Sequence, residues 1–302
     1  MPGREVEVET AFGLARVFIE EPDGVPSFVL ALTHGAAGGI VSPDLLAVRD
    51  AALRLGGVVA RITQPYRVRG ARAPGSVARQ DDAWVQVITA LRGRPVTGPA
   101  EPVLPGSAEP VLPGSGGPVL PGSGGPVLPG SAGPVLPGSA EPVPPGPAGP
   151  GPHGPAGALL CGPDGLLPRG QEGPLPLVQG GRSNGARVAC RTAAAVDAVA
   201  VIALAFPLRP PGRPDRSRAA ELRVPGRKLL IVSGDRDPLG VPGRRAGARV
   251  VVLAGETHAL SRRPAEVGRA VAAWLPRALG LPRAQRAARG PRPVPGLGRA
   301  GA

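Results

Sequence analysis

The sequence predicts an α/β domain in which a mostly parallel sheet carries helices on both faces. Apolar runs of strand length alternate with amphipathic helical segments, which is the pattern of a sheet covered on both sides. The runs are apolar at successive positions, as expected of strands that are buried on both faces. For about eighty residues this alternation stops and a Pro/Gly-rich repeat replaces it, which we interpret as a disordered insert within the domain.

The N-terminal part of the domain, residues 1–93, contains the first strands and helices. Charged and apolar residues alternate on either side of Phe12-Gly13, which predicts an edge hairpin. The later strands are continuous apolar runs, and the first helix has Ser42 as its candidate N-cap. In chain order we expect strands at 5–9, 14–20 and 27–33, a helix at 43–55, a strand at 58–63 and a helix at 79–92.

Residues 94–173 form the insert. From Pro102 onward a unit of Pro-Val-Leu-Pro-Gly-Ser and two small or acidic residues recurs every eight positions. Each unit offers only Val and Leu for burial, and its prolines block sheet ladders, so the repeat does not fit a solenoid. Glycine does not fall at every third position, which argues against collagen. We expect disorder with polyproline-like stretches; a protein partner could bind the repeat, although no residue pattern supports one.

The alternation of strands and helices resumes in residues 174–280, the C-terminal part of the domain. We expect strands at 175–178, 198–204, 228–232 and 249–253, helices at 186–195 and 266–279, and a short helix at 216–222. The loop from Phe206 to Gly226 is too short for a substantial lid, which predicts an open site. Residues 281–302 are rich in arginine, proline and glycine and are predicted to form a disordered basic tail.

Composition narrows the function classes. The net charge of +13 comes almost wholly from scattered arginines, and aromatic residues make up only 2% of the chain, so we expect no specific nucleic-acid partner. Residues 1–10 carry three glutamates and no apolar core of a signal peptide. The most apolar stretch, 193–206, contains Asp197 and is too short to span a bilayer. These features predict a cytoplasmic protein that does not associate with membranes.

Two cysteines, Cys161 and Cys190, stand alone in the sequence. Neither belongs to a paired motif, so the sequence supports no disulfide framework and no metal site. We find no motif for an organic cofactor either, and the expected ligand is a small-molecule substrate.

The segment Gly181-Arg182-Ser183-Asn184-Gly185 is the centre of the functional prediction. It lies between a predicted strand and a predicted helix, where a serine at the tip of the turn adopts a strained backbone and flanking glycines leave room for it. This context is typical of a nucleophile elbow. The five-residue pattern is weak by itself in a chain with 47 glycines, and a glycine-rich turn with an exposed serine is the alternative.

A serine becomes a strong nucleophile only when a base takes its proton. Among the three histidines, His153 lies in the insert and His34 is better suited to a structural hydrogen bond, which leaves His258 as the candidate base. Its acidic partner is Asp235 or Asp237, and both follow the strand before the last one. Serine, aspartate and histidine thus each follow a predicted parallel strand, in the order of an α/β-hydrolase triad.

Four segments carry a closer resemblance: Thr33-His34-Gly35-Ala36-Ala37-Gly38, Gly180 to Arg187, Phe206-Pro207-Leu208 and Ser233 to Asp237. They resemble the dienelactone-hydrolase-like group of the α/β-hydrolase superfamily that includes a testis-expressed eukaryotic protein and a subunit of a histone-acetyltransferase (nonspecific lethal) complex. The resemblance covers about residues 5–93 and 174–279 and implies the α/β-hydrolase fold. The group's spacing of glycine, two residues and aspartate selects Asp237, so that Asp235 is a turn residue.

The remaining site residues follow from the same resemblance. The backbone N–H groups of Ala36 and Asn184 would form an oxyanion hole. Arg182 could bind an anionic substrate group or pair with a buried acid, and we favour the second role.

Two features depart from this fold. Pro174 and Pro176 fall in what should be a central strand. The link from Pro238 to Ala248 is short and glycine-rich where this fold usually places a helix, and without that helix the last strand and His258 would be poorly anchored. The sequence therefore leaves two functions open: a serine hydrolase that acts on an ester, thioester or related acyl substrate, and a catalytically silent hydrolase-fold protein that acts by binding.

Overall fold

An eight-stranded sheet organises the chain in a computed structural model that describes residues 3–93, 167, 169–170, 173–213 and 215–281. The strands are β1 (Arg4–Thr10), β2 (Gly13–Glu20), β3 (Phe28–Thr33), β4 (Gly57–Thr63), β5 (Arg169–Gly170), β6 (Gly173–Pro174), β7 (Leu177–Arg182), β8 (Ala200–Leu204), β9 (Lys228–Gly234) and β10 (Ala248–Leu253). The helices are α1 (Pro43–Arg54), α2 (Pro65–Val68), α3 (Val77–Leu91), α4 (Asn184–Thr192) and α5 (Pro264–Ala278), and a 3₁₀-helix covers Ala219–Leu222.

The order of strands in the large sheet is β1-β2-β4-β3-β7-β8-β9-β10. The hairpin β1–β2 is antiparallel and joins β4 in antiparallel fashion, and all later neighbours are parallel. The predicted mostly parallel sheet is therefore confirmed. The chain progresses toward one edge from β3 to β4 and toward the other from β7 onward, so the direction reverses between β3 and β7. Ligands of open α/β sheets bind at the carboxyl ends of strands at such a reversal.

Helices cover both faces of this sheet, as predicted. On one face α3 and α4 pack on a hydrophobic core that includes Trp84, Ile88 and Val188. On the other face α1 packs against α5, and Leu45, Val48 and Val271 contribute to a second core. Strands β3, β7 and β8 lie between these layers, which explains why their residues are buried at successive positions.

Every predicted strand and helix within the described residues is present, with shifted ends. The most consequential shift is that of β7, which begins at Leu177. Pro174 and Pro176 therefore precede the central strand, and the expectation that they interrupt it is wrong; the Pro176 carbonyl oxygen accepts a hydrogen bond from Val29 N–H at 2.9 Å. The following helix covers Asn184–Thr192 instead of 186–195, because the chain turns after Thr192. Helix α2 was not predicted, since four residues leave no apolar periodicity to detect.

The described residues include the last part of the predicted insert. Leu167 is buried, and its N–H donates to the carbonyl oxygen of Leu91 at the end of α3. Arg169–Gly170 and Gly173–Pro174 then pair as a short antiparallel ladder. These contacts belong to residues that the sequence assigned to the insert. The disorder predicted for the rest of the insert and for the basic tail lies outside the described residues, as do His153 and Cys161.

The link between β9 and β10 has no helix in the part of the chain that the structure describes. Even so, β10 pairs with β9 from Ala248 to Leu253, so the last strand is in place. Among the described helices, none combines the length and the apolar character needed to cross a membrane.

Candidate active site

Ser183 lies at the turn between β7 and α4 and has a φ of 53°. This left-handed backbone is costly for a residue with a side chain, and the surrounding structure must hold it in place. Gly181 and Gly185 allow the turn: a Cβ on Gly181 would lie 2.7 Å from the carbonyl carbon of Gly185, and a Cβ on Gly185 would lie 2.6 Å from the carbonyl oxygen of His34. The glycines are therefore required by close backbone contacts.

The structure brings Ser183, His258 and Asp237 together at the carboxyl ends of the parallel strands. His258 Nε2 lies 2.9 Å from Ser183 Oγ, and His258 Nδ1 lies 2.8 Å from Asp237 Oδ2. Because a carboxylate oxygen accepts hydrogen bonds, Nδ1 carries the proton and Nε2 is free to accept the serine hydroxyl proton. The Asp237 side chain is fully buried, and its other oxygen accepts the N–H of Leu239 at 2.8 Å.

Asp235 does not contact the His258 ring but bonds the backbone of the loop between β10 and α5 that carries His258, called here the histidine loop. Its Oδ1 accepts the N–H of Gly255 at 2.7 Å, and the N–H of Arg236 donates to the Glu256 carbonyl oxygen at 2.9 Å. Gly234 makes this close approach feasible, because a Cβ there would lie 2.1 Å from the same Glu256 oxygen. Of the two candidate aspartates, only Asp237, the one selected by the resemblance, contacts the His258 ring in the described structure.

His34 is a buried structural residue that shapes the loop after β3. Gln64 N–H donates to His34 Nε2 at 3.1 Å, so Nδ1 carries the proton and donates to the Gly35 carbonyl oxygen at 2.7 Å. Burial lowers the pKa of His34 below its ordinary value of 6.5, and the charge of Arg67 lowers it further, against the effect of the Gly35 hydrogen bond. The lowered pKa favours the neutral ring, which is the form that the hydrogen bond from Gln64 N–H to Nε2 requires.

The loop after β3 lies directly beside the serine turn. A Cβ on Gly35 would be 3.3 Å from Ser183 Cβ, and the Ala36 carbonyl oxygen accepts the hydroxyl of Tyr66 at 3.1 Å. Asn184 is the first residue of α4, where backbone N–H groups have no acceptor within the helix. Its side chain donates to Gln80 Oε1 at 2.6 Å. The loop that contains Ala36 and the first residue of α4, Asn184, thus lie beside Ser183 on two different elements.

Arg182 pairs with a buried acid, the role favoured from the sequence. Its Nε donates to Asp44 Oδ2 at 2.9 Å, and its Nη2 donates to the carbonyl oxygen of His258 at 2.8 Å. Asp44 is fully buried at the first turn of α1, where the helix dipole favours a carboxylate.

A cavity of about 450 Å³ adjoins this region at the carboxyl end of β4. Its wall includes Gln64, Tyr66 and Gln80, which contact His34, Ala36 and Asn184 respectively. The two charged residues of the lining, Arg69 and Arg79, are both cationic. Within the described ranges no group of three or more His, Cys, Asp or Glu side chains could hold a metal ion.

Three supporting residues were not identified from the sequence: Asp44, Tyr66 and Gln80. Asp44 had a usable signal, because it is an acid in the first turn of a predicted helix that follows the glycine-rich loop. Tyr66 and Gln80 had none, since their partners are distant in the chain.

Comparison with known proteins agrees with this architecture. The sequence profile of a family described as an alpha/beta hydrolase domain matches residues 165–260, a range that includes Ser183, Asp237 and His258. A search of curated proteins gave no match to this chain. The narrower resemblance to the group with the testis-expressed protein and the histone-acetyltransferase complex subunit therefore finds no support.

Solved structures resemble most of the chain. An alpha-beta serine hydrolase homologue from Coxiella burnetii shares 13% identity at a TM-score of 0.53, covering 89% of this chain and 95% of its own. XC6422 from Xanthomonas campestris, described as an α/β serine hydrolase without a lid, shares 16% at 0.52, covering 91% and 96%. Est1E from Butyrivibrio proteoclasticus shares 13% at 0.53, covering 93% and 100%. At these identities the likeness shows the fold: the chain has the α/β-hydrolase fold.

Proposed function

We propose that this chain is a serine hydrolase that cleaves an ester, thioester or related acyl substrate through an acyl-enzyme on Ser183. The observation that carries the proposal is the continuous chain of hydrogen bonds from Asp237 through His258 to Ser183, at 2.8 and 2.9 Å. These distances lie within the reach that a general base and its nucleophile need.

In the first half of the proposed reaction, Ser183 Oγ bonds to the carbonyl carbon of the substrate while His258 Nε2 takes the hydroxyl proton. The carbonyl oxygen becomes an oxyanion. Asp237 holds the Nδ1–H of His258 and stabilises the imidazolium ion. When the bond to the leaving alcohol or thiol breaks, His258 returns the proton to the leaving group, and the acyl group remains on Ser183.

The second half releases the acid. His258 takes a proton from water as the water oxygen bonds to the acyl carbon, and the proton then passes to Ser183 Oγ as the acyl–oxygen bond breaks. In both halves the oxyanion would accept hydrogen bonds from the backbone N–H groups of Ala36 and Asn184. One such donor contributes about 10²–10³-fold to kcat in enzymes of this kind.

The surroundings of Ser183 favour an open site for a small acyl substrate. XC6422 is described as lacking a lid. In this chain the β8–β9 connection, residues 205–227, contains the 3₁₀-helix Ala219–Leu222. The cavity of about 450 Å³ beside Tyr66 and Gln80 is large enough to take one substituent of the substrate.

A catalytically silent binding protein is the second candidate. The observation that favours it is the link between β9 and β10, which has no helix among its described residues. That link precedes β10, which leads into the loop with His258. A protein that no longer catalyses a reaction would not need a helix there to hold His258 in place. The intact geometry of His258 favours the hydrolase.

A fluorophosphonate probe tests the proposal, since it bonds covalently to an activated serine. The full-length protein should be labelled, and Ser183→Ala should abolish labelling because the reacting oxygen is removed. Ser217→Ala is the control: Ser217 is an exposed serine whose Oγ accepts the N–H of Ala219, and its loss should leave labelling unchanged. A folded wild-type protein that takes up no probe and hydrolyses no ester would favour the silent binding protein.

A further inference from the structure

Arg182 joins two parts of the site that are far apart in the chain. One edge of its guanidinium group donates from Nε to Asp44 Oδ2 at 2.9 Å, and Nη2 donates to the His258 carbonyl oxygen at 2.8 Å. The arginine side chain is 17% exposed and the aspartate side chain is fully buried. A guanidinium group is planar and rigid, so it holds its two acceptors in a fixed relative position.

We infer that Arg182 is a positioning residue that fixes the backbone of His258 relative to Ser183. The inference rests on the proposed hydrolase function and adds a determinant of its rate. Arg182 is bonded through the main chain to Ser183, and it is hydrogen-bonded to the main chain of the candidate base. The positions of the serine and the histidine are thus both fixed relative to one side chain, that of Arg182, whose orientation is set by Asp44.

The position of β10 explains why such a tie is needed. β10 is the outermost strand and pairs with β9, whereas the serine strand β7 lies further in, on the other side of β8. The contacts of Asp235 and Arg236 anchor the histidine loop to the end of β9, the strand next to β10. Arg182 connects that loop with β7 across the intervening strands. With no described helix between β9 and β10, this contact secures the loop from the side of the serine.

A loose loop would affect catalysis more than folding. The His258 ring must satisfy two hydrogen bonds at once, to Asp237 and to Ser183. A displacement of about 1 Å in a catalytic group can lower the rate on the order of 10²-fold. Loss of Arg182 should therefore lower the rate of acylation by about 10- to 100-fold, in proportion to the freedom that the loop gains.

The rival explanation is that Arg182 only neutralises a buried acid. Arg187 provides a matched control, because it lies on α4, is 13% exposed, and bonds Glu221 at 2.7 and 2.8 Å without contacting His258. The double variant Asp44→Asn/Arg182→Met separates the two roles further. It removes both charges of the pair, while the amide introduced by Asp44→Asn retains an oxygen for the N–H of Leu45, which Asp44 Oδ1 accepts at 3.0 Å.

The experiment compares the full-length wild type with Arg182→Met, Arg187→Met and the double variant. The rate of fluorophosphonate labelling and the melting temperature are measured for each. We expect Arg182→Met to be labelled about 10- to 100-fold more slowly, while Arg187→Met lowers the melting temperature and is labelled at the wild-type rate. The double variant should melt at a higher temperature than Arg182→Met, because Asp44 no longer leaves a buried charge unpaired. It should be labelled as slowly as Arg182→Met, because the His258 carbonyl oxygen still has no arginine donor.

A second measurement does not depend on activity. The chain contains three histidines, so ¹⁵N labelling of histidine gives three sets of ring signals in an NMR spectrum. The His258 ring signals should shift in Arg182→Met and in the double variant, whereas those of His34 should remain. If the wild type reacts with no probe, the hydrolase proposal fails, and these ring signals alone decide the positioning role.

Three results would overturn the inference. One is a double variant that recovers the labelling rate together with its melting temperature. Another is an Arg182→Met protein that is labelled no more slowly than Arg187→Met. The third is a His258 ring spectrum that is unchanged when Arg182 is replaced. If Arg182→Met alone does not fold, the double variant decides in its place.

Discussion

Two aspartates that lie two positions apart, Asp235 and Asp237, have separate tasks in this site. The buried carboxylate of Asp237 contacts the ring of His258, and the exposed carboxylate of Asp235 contacts the backbone of Gly255. Either residue follows the end of β9 closely enough in the sequence to serve as a catalytic acid. Their difference arises from which way each side chain leaves the turn. The residues alone left both candidates open, and Asp237 was selected only by the spacing of glycine, two residues and aspartate in the group that the sequence resembles.

Replacing each aspartate by asparagine should separate these tasks. We expect Asp237→Asn to lower kcat on the order of 10⁴-fold, because an amide cannot stabilise the imidazolium ion and favours the wrong ring tautomer. Asp235→Asn should keep most of its activity, since the amide oxygen can still accept the N–H of Gly255. Turnover of a p-nitrophenyl ester by both variants measures the difference. Equal losses in two folded variants would show that Asp237 is not the partner of His258.

His34 predicts a pH dependence of stability. Burial lowers its pKa in the folded protein below 6.5, so between these two pKa values the unfolded chain binds more protons than the folded one. The contribution of neutral His34 is complete above pH 6.5 and is lost as the pH falls toward the folded pKa. The slope in this window is at most about 1.4 kcal/mol per pH unit for one proton.

Urea denaturation of the wild type and of His34→Gln between about pH 7.5 and pH 5 measures this contribution. We expect the free energy of unfolding of the wild type to fall more steeply below about pH 6.5 than that of the variant. Parallel curves for the two proteins would mean that the protonation of His34 is not coupled to folding.

At the scale of secondary structure, the turn between β7 and α4 is the element with the least room for change. A Cβ on Gly181 would meet the backbone of Gly185 and, at 2.8 Å, the carbonyl oxygen of Thr33. We expect Gly181→Ala to destabilise the fold by about 3 kcal/mol or more, because backbone atoms cannot move aside as the end of a side chain can. The labelling rate should fall as well.

Gly243→Ala is the control for this substitution. No heavy atom lies within 4 Å of a Cβ at Gly243, so its melting temperature and labelling rate should match those of the wild type. A Gly181→Ala protein as stable as this control would contradict the close backbone packing of the turn.

The elements and the candidate triad were predictable because their signals are local. Apolar runs identify the strands, and the order serine, aspartate, histidine after successive strands identifies the candidate site. The contacts that support the site were not predictable. Arg182 and Asp44 are 138 positions apart, and the buried amide of Gln179 bonds Trp84 at 2.7 Å over 95 positions. Long-range pairs of this kind depend on the completed packing of helices on the sheet. The sequence could therefore favour a buried acid as the partner of Arg182 without identifying that acid as Asp44.

At the scale of the whole molecule, both ends of the insert connect to the amino-terminal edge of the sheet. The Leu167 N–H bonds the last residue of α3, and the Pro176 carbonyl oxygen bonds Val29 near the start of β3. Ser183 and His258 lie at the carboxyl-terminal edge. We therefore expect the segment between α3 and Leu167 to be dispensable for catalysis.

Replacing residues 99–157 with a brief Gly/Ser linker tests this expectation. Halving the length of a flexible loop changes its closure free energy by only about 0.6 kcal/mol, so the variant should melt near the wild-type temperature. It should also keep its rate of fluorophosphonate labelling. A variant that melts cooperatively and yet loses labelling would show that the insert contributes to the catalytic face.

The pairing of β3 with β7 also bears on how this domain could be divided between two genes. These strands come from opposite sides of the insert and share a parallel ladder from Val29 to Thr33 in the middle of the sheet. All three candidate catalytic side chains belong to the later segment, and the loop that flanks the serine from Ala36 belongs to the earlier one. Two polypeptides separated within the insert would therefore each be incomplete, and the proposed hydrolase activity would become a readout of their association through β3 and β7.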